Sequence, residues 1–134
     1  MTNEALKSIR VLVVDDDGIS QKIAVAILNN IGINNIDLAN NGTEALDILA
    51  TADHSFDLVI TDIEMPEMDG FELARKIRLG TVEKIKAIPI LLLTGRNTDE
   101  NIRKGRIHRI QGFIIKPPSA EVLEHHIIQA LKIK

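Results

Sequence analysis

Short apolar runs that break off at a polar or charged side chain recur four times in this chain, and they restrict it to few folds. Val11 to Val14 stops at Asp15-Asp16-Asp17, and Phe56 to Thr61 stops at Asp62. Ile90 to Leu93 stops at Thr94-Gly95, and Phe113 to Ile115 stops at Lys116-Pro117. Near-continuous apolar runs of this length suit strands buried on both faces. Helical spacing fills the stretches between them, and a strand–helix alternation repeated five times implies a parallel sheet covered by helices on both sides. In open α/β sheets ligands bind at the carboxyl edge of the strands. The acids, the hydroxyl and the amine that end these runs are therefore delivered to one edge.

The pattern predicts strands at Ile9–Val14, Asn35–Ala39, Asp57–Thr61, Ile90–Leu93 and Gly112–Ile115. It predicts helices at Gly18–Asn30, Gly42–Ala50, Phe71–Leu79, within Asp99–Ile107, and from the cap Ser119 to Leu131. Gly32 suits the position just past the first helix, and Pro89 sits before a strand, where its missing donor does least harm. The second strand is short, and Gly105 with a dense charge pattern weakens the fourth helix. No repeat, low-complexity segment or linker interrupts the 134 residues, so the expectation is one domain over residues 1–134 with its core at about 9–132.

Charge is divided along the chain. Residues 1–70 hold three basic and 13 acidic residues, and residues 71–134 hold 13 and six. Such halves read as two solvated faces, or as an acidic cation site beside a basic partner surface. With no Trp or Tyr and three Phe, the chain has little to stack on bases, and no nucleic-acid role is expected. Without cysteine there is no disulfide framework or thiolate metal site. No apolar run reaches the roughly 18 residues of a membrane helix, and Met1 to Arg10 lacks the apolar centre of a signal peptide, so a cytoplasmic protein with no membrane role is expected.

If the first and third strands are neighbours, Asp15, Asp16 and Asp62 converge. Like charges that close need a counter-charge. An oxygen-only donor set without thiol or imidazole asks for a hard cation, and Mg²⁺ fits while leaving positions for phosphoryl oxygens. Lys116 would add a fixed positive charge and Thr94 a hydroxyl. One carboxylate could then attack phosphorus and form an acyl phosphate.

These residues stand in stretches that resemble the receiver domain of two-component response regulators: Val11 to Asp17, Phe56 to Gly70, Leu91 to Gly95 and Gly112 to Pro117, in the family's order. The resemblance implies an α/β, flavodoxin-like, doubly wound five-stranded parallel sheet, order 2-1-3-4-5, with five helices. It implies that Asp62 accepts the phosphoryl group, that Asp16 and Asp62 bind Mg²⁺ directly and Asp15 through water, and that the backbone carbonyl of Glu64 is a further ligand. Thr94 and Phe113 would be the switch pair and Lys116 the family's lysine, followed by a cis bond to Pro117. The donor would be a sensor histidine kinase or a histidine phosphotransfer protein. Phosphorylation would change the α4–β5–α5 surface toward an undetermined downstream target. No catalytic or DNA-binding output segment is expected after the fifth helix.

Several features depart from the common pattern or stand outside it. Phe113 occupies a position where tyrosine is common. Glu64 and Arg96 could face each other across the site and modulate it. On the first helix, Ile19, Ile23 and Ala26 form a second apolar line, either part of a broad buried face or an exposed patch for a partner helix. Val11 to Ser20 and Leu91 to Arg96 also resemble motifs of haloacid-dehalogenase-type phosphatases, with Asp15 as nucleophile and Asp17 as acid. That reading leaves Asp62 without a role. The four histidines read as surface residues rather than ligands.

Overall fold

A computed structural model of the chain describes residues 4–95 and 99–133. Five parallel strands form one sheet in the order β2-β1-β3-β4-β5: β1 (Arg10–Val14), β2 (Asn35–Ala39), β3 (Leu58–Asp62), β4 (Ile90–Thr94) and β5 (Gly112–Ile115). Five α-helices are described: α1 (Gly18–Asn30), α2 (Gly42–Thr51), α3 (Gly70–Leu79), α4 (Asp99–Ile107) and α5 (Ala120–Leu131). The doubly wound fold and the strand order are those expected. None of the described helices is long and apolar enough to cross a membrane.

Strand side chains divide by parity into two cores. Val11, Val13, Leu58, Ile60, Leu91, Leu93 and Ile114 pack with Ala24 and Leu28 of α1 and Leu123 and Ile127 of α5. Leu12, Val14, Val59, Ile90 and Leu92 face the other way, onto Leu49 of α2 and Leu73 and Ile77 of α3. Period-two alternation thus buries both faces of each central strand, which is why the runs read as continuous.

Helix ends follow local chemistry. Asp17, Asn41, Asp69 and Ser119 each accept a hydrogen bond from a first-turn amide, as N-caps do. Gly32, just beyond α1, has φ 102, a conformation open to glycine without a Cβ clash.

Two boundaries matter for the site. β3 starts one residue later than predicted, because Asp57 turns its carboxylate back to accept from the Arg10 amide at 2.9 Å. β3 and β4 each run one residue further, so Asp62 and Thr94 are the last residues of their strands rather than loop residues. In register Asp62 lies beside Leu93, and Thr94 beside Ile115.

Candidate functional site

The carboxyl edge gathers side chains from residues a hundred positions apart. Asp15, Asp16 and Asp62 each place a carboxylate oxygen within 4.8 Å of the others, with Asp15 and Asp62 buried and Asp16 exposed. β1 and β3 are direct neighbours, Val14 beside Thr61, so both chains leave the sheet at the same level. Lys116 reaches back from the end of β5, its Nζ 3.1 Å from Asp15 Oδ2 and 3.2 Å from Asp62 Oδ2. Its backbone amide donates to the Thr94 carbonyl at 2.8 Å, and the Lys116–Pro117 bond is cis.

Two carboxylates share this one ammonium. Burial draws the Lys116 pKa down, but the hydrogen bond it donates to Asp15 and the charges of Asp62 and Asp15 outweigh it, holding the amine above the ordinary lysine value. Burial of Asp62 outweighs the charge and hydrogen bond of Lys116, and with Asp15 adding repulsion its carboxyl sits above the usual aspartate value. The ammonium alone therefore leaves the acids under-compensated. An all-oxygen donor set with spare negative charge fits a hard divalent cation. Among the described residues this is the one cluster of metal-capable side chains, and no histidine belongs to it.

Further hydrogen bonds orient the acids. Asp15 Oδ1 accepts from the Asp17 amide at 3.0 Å, and the Gln21 side chain holds the Asp15 carbonyl at 2.7 Å. Gln21, buried on α1, was missed in the sequence; polar residues on a helix are read as solvent-facing by default. The Glu64 amide approaches Asp62 Oδ1 at 3.4 Å, while its side chain is exposed. Arg96, suggested as the partner of Glu64, lies outside the described residues.

Gly70 completes the support. Its amide donates to the Ile63 carbonyl at 2.8 Å, and a Cβ there would lie 2.5 Å from the Asp62 carbonyl oxygen. The first turn of α3 is thereby pressed against the backbone that carries Asp62.

Thr94 is 1% exposed. Parity puts Thr94 and Phe113 on one face of the sheet, the face packed by α2 and α3. The Phe113 ring lies 6.2 Å from that of Phe71, over which the Lys104 ammonium sits at 5.4 Å. On α1, Ile19 is 70% and Ile23 45% exposed, and Ala26 is exposed too, so the second apolar line is a surface patch. A cavity of about 210 Å³ bounded by Ser20, Ile23, Leu93 and Pro117 adjoins it beside Lys116.

The phosphatase-like alternative fails at Asp17. Its carboxylate is the α1 cap, bonded to Ile19 and Ser20, and the Ser20 hydroxyl hydrogen bond leads in holding its pKa below the ordinary value. A general acid needs the opposite shift. The histidines also differ from expectation in part: burial pushes the His108 and His126 imidazoles down, and His54 bonds Asp37 and Asp53 at 3.1 Å each.

The chain is similar to known proteins over most of its length. The family model described as the response regulator receiver domain matches residues 11–128. The chemotaxis protein CheY-3 of Vibrio cholerae is 34% identical over 121 residues, covering 90% of each protein. The solved structure of Vibrio cholerae CheY4 superposes with a TM-score of 0.82 at 31% identity, covering 92% of this chain and 98% of that one. The receiver domain of the histidine kinase CKI1 from Arabidopsis thaliana, complexed with Mg²⁺ and BeF₃⁻, gives 0.75 at 29% identity, covering 92% and 93%.

Proposed function

The chain belongs to the response regulator receiver family of two-component signalling, whose members act as phosphoryl acceptors, and from that premise we propose that Asp62 is the acceptor. Asp15, Asp16, Asp62 and the Glu64 carbonyl would hold Mg²⁺. The observation that carries the reading is the meeting of Asp62 with Asp15, Asp16 and the Lys116 ammonium at the ends of three strands.

In this reading a partner phosphohistidine, on a kinase or a phosphotransfer protein, docks against Ile19, Ile23 and Ala26. An Asp62 oxygen attacks the phosphorus in line with the leaving nitrogen. The P–N bond breaks, its electron pair leaves on the imidazole, and Asp62 becomes an acyl phosphate. Lys116 turns from its carboxylate pair toward the new phosphoryl oxygens. Mg²⁺, when bound, supplies charge that offsets both the acids' repulsion and the incoming phosphoryl group. The CKI1 receiver domain, solved with Mg²⁺ and BeF₃⁻, supports that assignment by analogy.

The Thr94 hydroxyl then moves to a phosphoryl oxygen, and Phe113, on the same sheet face, takes a second packing that changes the α4–β5–α5 surface. This is a population shift between two packings of one fold. Residues 9–132 act as one receiver unit in the cytoplasm, with at most slow self-catalysed gain and loss of the phosphoryl group. The test is incubation with Mg²⁺ and acetyl phosphate followed by intact mass. One phosphoryl adduct is expected, absent in Asp62→Ala and absent with a chelator. An equal adduct in Asp62→Ala would remove the assignment.

A further inference from the structure

The C-terminal ends of α3 and α4 meet at the amino edge of the sheet, away from Asp62. Arg78, 6% exposed at the end of α3, ties them by donating to the carbonyls of His108 and Arg109 just past α4 and of Ile88 before β4. The surface above this anchor is basic and apolar together. On α3, Arg75 stands one turn before Leu79, which is 71% exposed. On α4, Arg103 stands one turn before Ile107, which is 74% exposed. Each helix thus carries the same pair, at the same spacing, near its C-terminal end.

Arg106 and Arg109 enlarge the patch. Like Arg75 and Arg103 they are exposed, and none of the four side chains forms an ion pair among the described residues. Glu83, in the turn after α3, is already paired with Lys86 at 2.8 Å, while Glu100, 3.6 Å from Lys104, and Glu72 lie toward the helix N-termini. Arg109 has φ 54, so a large cation stands where glycine would fit without a Cβ clash.

We propose that this α3–α4 end docks an acidic segment of a partner protein that carries aliphatic side chains, and that it does so without phosphorylation of Asp62. Unpaired guanidinium groups favour carboxylates, which they can bind bidentately. The two exposed aliphatic residues among them, Leu79 and Ile107, offer apolar contact to the same segment. A nucleic-acid backbone would satisfy the charges and leave Leu79 and Ile107 wet, and the half-buried His108 imidazole is the one ring the described patch offers a base. An amphipathic acidic segment satisfies both requirements.

The test is titration of the unphosphorylated full chain with an acidic synthetic peptide bearing two leucines four residues apart, followed by calorimetry and amide shifts. Saturable binding is expected, with shifts grouped at residues 75–79 and 103–109. The pair Arg75→Glu and Arg103→Glu should weaken it by about tenfold or more, equivalent to about 1.4 kcal/mol. Arg75→Gln with Arg103→Gln, and Leu79→Ser with Ile107→Ser, should weaken it in the same direction at unchanged melting temperature. A peptide of equal charge lacking leucine should bind less well. Absence of saturable binding, equal binding by the variants, or tighter binding of a single-stranded oligonucleotide of matched charge would overturn the proposal. So would self-association of the chain through these residues.

Discussion

Replacing Gly70 with alanine should separate the stability of the fold from the chemistry of Asp62. The added Cβ would lie 2.5 Å from the Asp62 carbonyl oxygen and 3.0 Å from the Ile63 Cα. Close carbon–oxygen contacts ordinarily run about 3.3–3.6 Å, so the overlap is roughly 0.8–1.1 Å. Both neighbours are backbone and cannot rotate away. The 2.8 Å bond from the Gly70 amide to the Ile63 carbonyl also resists separation. Overpacking of this kind costs about 1–3 kcal/mol, and alanine's helix preference over glycine returns about 0.5–1 kcal/mol. The net loss should be about 1 kcal/mol and at most about 2.5 kcal/mol, seen as a urea midpoint lowered by about 0.5 M or more. The proposed acceptance of a phosphoryl group by Asp62 is more sensitive, because a displacement near 1 Å can cost about a hundredfold in rate. Mass spectrometry of acetyl phosphate labelling with Mg²⁺ would follow the rate, and urea unfolding the stability. A variant labelled at the wild-type rate with an unchanged midpoint would refute the idea that α3 clamps the acceptor backbone.

Three further outcomes are expected. Asp62→Asn should stabilise the chelator-treated protein at neutral pH. The folded pKa of Asp62 lies above its unfolded value, chiefly through burial, so its ionisation favours the unfolded chain. The advantage should vanish below the ordinary carboxylate value of 3.8, grow as pH rises through it and level off above the raised folded value, which urea midpoints across pH would show. Lys116→Met should slow acetyl phosphate labelling and lower stability at neutral pH, with the deficit shrinking on acidification as Asp62 protonates; a flat pH difference would contradict the ion pairing seen at 3.1 and 3.2 Å. Arg78→Met should cost about 2–4 kcal/mol, since the buried Ile88 carbonyl loses its 2.7 Å donor while water can reach the other acceptors, yet labelling of Asp62 should continue at the wild-type rate.

Residues whose role is set by their own strand or helix were readable in the sequence. Asp15, Asp16, Asp62, Thr94 and Lys116 each end or follow a buried strand, and parallel strands with helical crossovers must all point their ends the same way. The Ser119 cap was equally local, because it satisfies an amide three residues on; Asp17, Asn41 and Asp69 cap by the same short reach but were not singled out in the sequence.

Arg78 was invisible for the opposite reason. It is a charged residue on a polar-looking helix, its guanidinium depressed to about 10 by burial first and Arg109 second, and its acceptors come from the turns before β4 and β5. Gly70 read as an ordinary loop glycine, and only the approach of α3 to Asp62 makes a side chain there intolerable. The α1 stripe of Ile19, Ile23 and Ala26 fits burial or exposure by periodicity alone; packing chose Ala24 and Leu28 for the core and left the stripe in solvent. Sequence determined the edge at which the reactive groups gather, since strand polarity and period are properties of the chain itself. Tertiary structure decided which of them touch, what presses on them and which apolar faces remain open, because those depend on neighbours that no local pattern encodes.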